Sequence, residues 1–253
     1  MREPALHEAE IITSDDTHLA LKFWGSSGET QAVILALHGF NDYSNAFALP
    51  AEVWSMHGIA TYAYDQRGFG ESEIAGLWAG TETLTADVRQ ALALLAERHP
   101  GAPLFLLGDS MGGAVAAVTT FNAPPEQLDG IILIAPAVWG RDTMPWHYKA
   151  SLWLAAHLAP AMKLSGSGLK IVPSDNIEML RELGRDPLVL KETRADAIYG
   201  LVHLMDAALA SAGEAPLPIL LVYGENDQIV PPQPIARFAA GITGPVRIAV
   251  YPE

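Results

Sequence analysis

Cysteine is absent from the sequence, which excludes disulfides, thiolate metal sites and a cysteine nucleophile. Positive charge is scarce: 15 lysines and arginines stand against 29 aspartates and glutamates, a net charge of −14, and the basic residues form no cluster. That balance argues against a nucleic-acid partner and against electrostatic docking on anionic membranes. Long apolar runs are missing too. A bilayer span needs about 20 apolar residues, and the richest stretch, 152–162, is interrupted by His157 and Pro160. The opening residues MREPALHEAE are polar and acidic, with no pattern of a signal or transit segment, so the expected location is cytoplasmic. No internal repeat or low-complexity tract is visible, and no pattern implies a cofactor or a metal.

What remains is a chain able to build a large core. Half of its 253 residues are hydrophobic and 17% are charged, which suits one large α/β domain with insertions. Residues 10–13 and 18–24 read as two strands joined by the turn Ser14-Asp15-Asp16-Thr17. Residues 32–37, 59–64, 104–107 and 130–135 are short, almost wholly apolar runs, the pattern of strands buried on both faces. Helical spacing falls between them, at 42–56 and again where Leu84, Val88, Leu92 and Leu95 share one face. Alternation at this rhythm predicts a mostly parallel sheet with helices on both sides. In such sheets ligands bind beyond the carboxyl ends of the strands.

Leu104-Phe105-Leu106-Leu107 runs into Gly108-Asp109-Ser110-Met111-Gly112, and then into the small apolar residues Gly113 to Val118. Strand, tight turn and helix in that order form the setting of a nucleophile elbow, with Ser110 exposed at its tip. The turn crowds the backbone two residues to either side, where Gly108 and Gly112 present no Cβ. Ser110 is the expected nucleophile.

After 130–135 the strand rhythm stops. Residues 145–159, 176–183 and 194–211 read as helices, with Ser165-Gly166-Ser167-Gly168 and Asp186-Pro187 as joints. Strands resume at 217–223 and 246–251. Helices placed between two strands of one sheet predict a cap at 137–213 over a core of 1–136 and 214–253. Trp139, Trp146 and Trp153, with Met144, Met162, Met179 and Met205, fall in that insertion. The tryptophans are expected to line an apolar substrate pocket, whereas Met205 fits simple packing between cap helices.

Acyl transfer through a serine needs an oxyanion site, a base and an acid that orients the base. The backbone N–H groups of Met111, just after the nucleophile, and of Phe40, behind Gly39, are the expected oxyanion donors. His38, at the end of a strand, fits a loop brace better than a base. Asp227, in the turn after 217–223, is the expected acid, with Glu225 as the fallback. With an elbow of this kind the partners follow in the order serine, acid, histidine. All eight histidines precede Asp227, so no residue of this sequence takes the base, and the chain as written is expected to show at most trace activity.

His38-Gly39-Phe40, Asp65-Gln66-Arg67-Gly68-Phe69-Gly70-Glu71-Ser72, Gly108-Asp109-Ser110-Met111-Gly112-Gly113 and Gly224-Glu225-Asn226-Asp227-Gln228-Ile229-Val230-Pro231 resemble the α/β-hydrolase superfamily. Within it the resemblance is to the monoacylglycerol lipase and lysophospholipase-like, serine aminopeptidase-domain branch. It implies a mostly parallel sheet of the eight-stranded type, a helical cap, and a catalytic histidine and terminal helix beyond the last strand, neither of which this sequence includes. It also implies a serine esterase for a small lipid or ester substrate with an apolar acyl group. Contact with a lipid surface would then be transient at most and made through the cap. The alternatives from the residues are an aminopeptidase-like hydrolase, for which Asp175, Glu178, Glu182, Asp196 and Asp206 offer cap acids, and a non-catalytic ligand-binding protein of the same fold.

Overall fold

A computed structural model describes residues 2–165 and 174–252; the Gly166-Ser167-Gly168 joint lies outside the described residues. The chain opens with an antiparallel meander of β1 (Ala5–Leu6), β2 (Glu10–Ile12) and β3 (His18–Trp24). It continues with β4 (Ala32–Leu37), α1 (Ala48–Ser55), β5 (Ile59–Tyr64), α2 (Thr81–Arg98), β6 (Leu104–Asp109), α3 (Met111–Asn122) and β7 (Gly130–Ile134). Then come α4 (Trp146–Leu158), β8 (Lys163–Ser165), α5 (Ile177–Arg185), β9 (Glu192–Arg194) and α6 (Ala195–Ala210). The last elements are β10 (Ile219–Gly224), α7 (Pro232–Gly241) and β11 (Val246–Tyr251).

Among the described residues nine strands form one sheet in the order β1-β2-β3-β5-β4-β6-β7-β10-β11. From β5 to β11 every pairing is parallel, and β3 joins β5 antiparallel. The strand beyond the expected eight is β1, two residues that pair with Ile11 and Ile12. The α4–α6 insertion is not purely helical either: β8 and β9 pair antiparallel, with the Lys163–Glu192 ion pair alongside at 3.7 Å.

The apolar strands form as they do because both faces are covered. Val33, Leu35 and Leu37 of β4 are fully buried on one side with Leu84, Val88, Leu92 and Leu95 of α2, while Ile34 and Ala36 face Phe47 on the other. Between β3 and α2 the Arg67 guanidinium donates to both oxygens of Asp87 at 2.7 Å and to both of Asp15 at 2.7 and 2.9 Å. A buried cation kept by two carboxylates is a structural pin. It fixes the start of the glycine-punctuated loop that follows β5.

Small residues let α3 press against the sheet. A Cβ on Gly112 would stand 2.1 Å from the Leu37 carbonyl oxygen, and one on Gly108 2.3 Å from that of Gly112. Those approaches set the elbow beneath the carboxyl ends of β4 and β6.

Candidate active site

Ser110 caps the N-terminus of α3 with φ 48° and ψ −111°, a left-handed conformation that few residues other than glycine adopt. The turn is held by its own backbone: Ser110 N–H donates to the Ile134 carbonyl at 2.9 Å, and its carbonyl accepts from Ala137 at 2.8 Å and Ala114 at 3.1 Å. The strain lifts the hydroxyl off the sheet, where Ser110 lines two adjoining cavities.

The larger cavity has a volume of about 800 Å³. Ser110, Gly39 and Phe40 are at its floor, and Met179, Leu180, Leu183, Leu201 and Met205 of α5 and α6 form its apolar wall. Asp42, Glu182, Asp186 and Asp109 supply its charge. The second cavity, about 680 Å³, brings Ser110 together with Asp109, Asp227 and Asp175. Asp227 Oδ1 accepts from the Ile229 and Val230 N–H groups at 2.8 and 3.0 Å, which fixes the carboxylate in its turn. Glu225 is exposed and lines neither cavity.

Met111 is the first residue of α3, where backbone N–H groups have no partner inside the helix. Among the described residues neither its N–H nor that of Phe40 donates to a backbone carbonyl. The Phe40 ring packs edge-on to Phe69 at 5.4 Å and near Trp78, which steadies the loop carrying that N–H. His38 is fully buried beneath it. Its Nδ1 lies 2.8 Å from the Gly39 carbonyl and its Nε2 2.9 Å from the Gln66 N–H, while the Gln66 side chain returns a bond to the His38 carbonyl. Nδ1 is therefore the donor and Nε2 the acceptor of a neutral ring, in keeping with burial, which brings its pKa down to about 4. His38 braces the loop.

The loop is also tied to the insertion. Asn41, at φ 66°, donates from Nδ2 to Thr193 Oγ1 at 2.7 Å, and its carbonyl accepts from Leu190 at 2.9 Å. Tyr43 donates its hydroxyl to Asp186 at 2.7 Å. Burial pushes Asp186 upward, but the Tyr43 hydroxyl, the Leu188 N–H and Lys191 outweigh it and hold the carboxyl below its usual range.

The structure does not bring the three tryptophans to Ser110. Trp139 lines a separate pocket with Leu209, Pro231 and Arg237, while Trp146 is 77% exposed and Trp153 49%. The apolar wall comes instead from α5 and α6, including Met205, which the sequence reading assigned to packing alone. The sequence signal for this wall is in α5, where Met179, Leu180 and Leu183 recur at helical spacing. Asp109 was also missed as a site residue, although it stands within the elbow motif. Its carboxyl is pushed up to about 7, first by burial and then by the negative charges of Asp42 and Asp227.

No histidine lines either cavity among the described residues. His203 is engaged with Arg141 at 2.7 Å, and His157 is stacked on Trp153. Nor do three or more His, Asp or Glu side chains gather to hold a metal among the described residues.

Comparison with known proteins agrees with this geometry. Residues 28–253 match the family described as serine aminopeptidase, S33. Human monoglyceride lipase is 26% identical over 230 residues, covering 87% of this chain and 73% of that protein. A monoacylglycerol lipase of Mycolicibacterium smegmatis is 27% identical over 216 residues, covering 82% and 74%. Among solved structures, a soluble variant of Saccharomyces cerevisiae monoglyceride lipase with a substrate analog superposes with a TM-score of 0.78 at 20% identity, over 99% of this chain and 87% of that one. The Paleococcus ferrophilus monoacylglycerol lipase gives 0.74 at 21%, over 93% and 90%. With its elbow, sheet order and inserted helices, the chain belongs to the serine aminopeptidase S33 family of α/β-hydrolases.

Proposed function

We propose that this chain is a serine hydrolase for carboxylic esters with an apolar acyl group, with monoacylglycerols as the model substrate. The observation that carries this reading is the strained Ser110 at the floor of a cavity walled by Met179, Leu180, Leu183, Leu201 and Met205. Residues 137–213 act as the cap and residues 1–136 and 214–253 as the core. The acyl chain lies against the cap wall, with its carbonyl over Ser110. Attack by the hydroxyl forms a tetrahedral intermediate whose oxyanion takes hydrogen bonds from the Phe40 and Met111 N–H groups. Its collapse expels the alcohol and leaves an acyl-serine, which water then hydrolyses. Asp227 is the acid that orients the base, and the base is not among the described residues lining the cavities. The relatives named monoglyceride and monoacylglycerol lipase support the ester over the peptide. An amine-bearing substrate is the second reading, favoured by Asp175 and Glu182 in the cavity walls. The exposed apolar face of α4 is proposed to touch lipid surfaces transiently.

The test is release of octanoate from 1-octanoylglycerol and from nitrophenyl octanoate, with and without imidazole in solution as a surrogate base. Without a positioned base the rate is expected to fall roughly 10⁶-fold below that of a complete triad. Imidazole should raise it, with an octanoyl adduct on Ser110 detectable by mass. Release that survives Ser110→Ala would overturn the reading; full turnover without imidazole would mean that another group of this chain serves as base.

A further inference from the structure

Asp109 lies at the end of β6, one residue before the nucleophile, and borders both cavities. Its carboxyl is turned toward the oxyanion loop: a methyl group on Gly39 would come within 3.3 Å of Oδ2. The residue is partly open to the cavities, while the carboxyl lies deep beneath the outer surface of the molecule. Among the described residues no hydrogen bond reaches it; the groups that act on it are Asp42, from the loop after β4, and Asp227, from the loop after β10.

The other charged groups among the described residues of the two cavities are Asp175, Glu182 and Asp186, and no described lysine, arginine or histidine lines either one. Asp42 receives the Tyr43 N–H and Asp186 the Tyr43 hydroxyl. Lys191, the nearby cation, is turned to the Leu183 and Asp186 carbonyls. Asp109, the carboxyl next to Ser110 in the chain, has no protein hydrogen-bond partner among the described residues.

Facing the cavities without a protein partner, the carboxyl loses its water when an apolar ligand fills them, and a polar group stripped of water is costly unless the ligand itself hydrogen-bonds to it. A neutral hydroxyl or an ammonium group supplies the missing donor. Among the described residues a phosphate or carboxylate head group would meet acids and no cation, a repulsion that low dielectric strengthens.

We propose that Asp109 is a specificity-determining residue that accepts a hydrogen bond from the alcohol portion of the substrate, selecting non-anionic head groups that carry an O–H or N–H donor and rejecting anionic ones. This rests on the ester-hydrolase reading above, and equilibrium binding of uncleavable ethers tests it without requiring turnover. The ligands are 1-O-octylglycerol, 3-(octyloxy)propylamine, octyl methyl ether and octyl phosphate. The parent chain should bind the glycerol or amino ether about tenfold more tightly than the methyl ether, the worth of one good hydrogen bond, and octyl phosphate more weakly than the methyl ether. Which donor ligand binds better identifies hydroxyl or ammonium as the source. Asp109→Leu should bring the donor and methyl ethers to equal affinity, read as the ratio within the variant, while Asp109→Asn keeps a hydrogen-bonding group and should retain most of the preference for the glycerol ether.

Equal binding of donor and methyl ethers by the parent chain overturns the proposal, as does a preference that survives in folded Asp109→Leu. Should that variant not fold, Asp109→Ala is read by the same two criteria, and the parent chain's own preference decides on its own. Failure of even the methyl ether to bind the parent chain would instead remove the apolar-cavity reading beneath the proposal.

Discussion

Two buried titratable side chains beside the oxyanion loop respond to pH in opposite directions. An unfolded histidine takes up its proton near about pH 6.5, whereas folded His38 resists until about 4. Falling pH across that window therefore favours the unfolded chain. An unfolded aspartate loses its proton near about pH 3.9, whereas folded Asp109 keeps it until about 7. Rising pH across that window also favours the unfolded chain. The slopes contributed by these two groups oppose each other between about pH 4 and about pH 6.5. Asp109→Asn removes only the second slope. Its urea midpoint, measured against that of the parent, should gain progressively from about pH 4 to about pH 8, reaching an advantage of roughly 1–3 kcal/mol. A constant difference between the two proteins over that range would show that Asp109 ionises as it does in the unfolded chain.

At the scale of elements, the oxyanion loop and the 186–194 segment of the insertion behave as one unit. Asn41 is bonded to Thr193 and Leu190, and Tyr43 to Asp186. Through them a movement of that segment is transmitted to the loop carrying Phe40, which lines the same cavity as Ser110. Tyr43→Phe deletes one charge-assisted bond and should cost about 1–2 kcal/mol locally. Hydrogen exchange should then show faster exchange of the Leu190 amide, with the β4 and β6 amides unaffected. Equal loss across the core would mean that Tyr43 supports global packing rather than this tie.

None of these ties could be read from the sequence, because each joins residues far apart in the chain. The sheet could be, since β4, β6, β7 and β10 are largely apolar runs, and so could the elbow, whose glycines are dictated by contacts below 2.5 Å. The three-residue β8 and β9 are too short to express a period. The segment from Asp65 to Ser72 carries family resemblance, yet its side chains work as braces. Asp65 holds the Ser44 and Glu71 N–H groups, Gln66 secures His38, and Arg67 pins the meander. A motif marks residues with fixed geometry, and only the folded chain separates those that reach the cavity from those that support it.

For the whole molecule the question is how an acidic protein meets an apolar substrate. No residue of α4 is buried, and Trp146, Tyr148, Trp153, Leu154 and Leu158 all stand exposed on it. An apolar surface of this kind on an inserted helix is suited to shallow contact with acyl chains. The net charge of −14 opposes approach to any anionic surface, an effect reaching about 10 Å at ordinary ionic strength. The two forces make distinguishable predictions. Sedimentation with phosphatidylcholine vesicles should show weak, salt-insensitive binding, and Trp146→Ser should weaken it about tenfold, as expected for losing most of one buried aromatic side chain. Vesicles enriched in an anionic lipid should bind less at low salt and approach the neutral vesicles as salt screens the repulsion. Stronger binding to the anionic vesicles would place the contact on a basic patch and away from α4, and an unchanged Trp146→Ser would leave the exposed face of that helix without a role at the lipid surface.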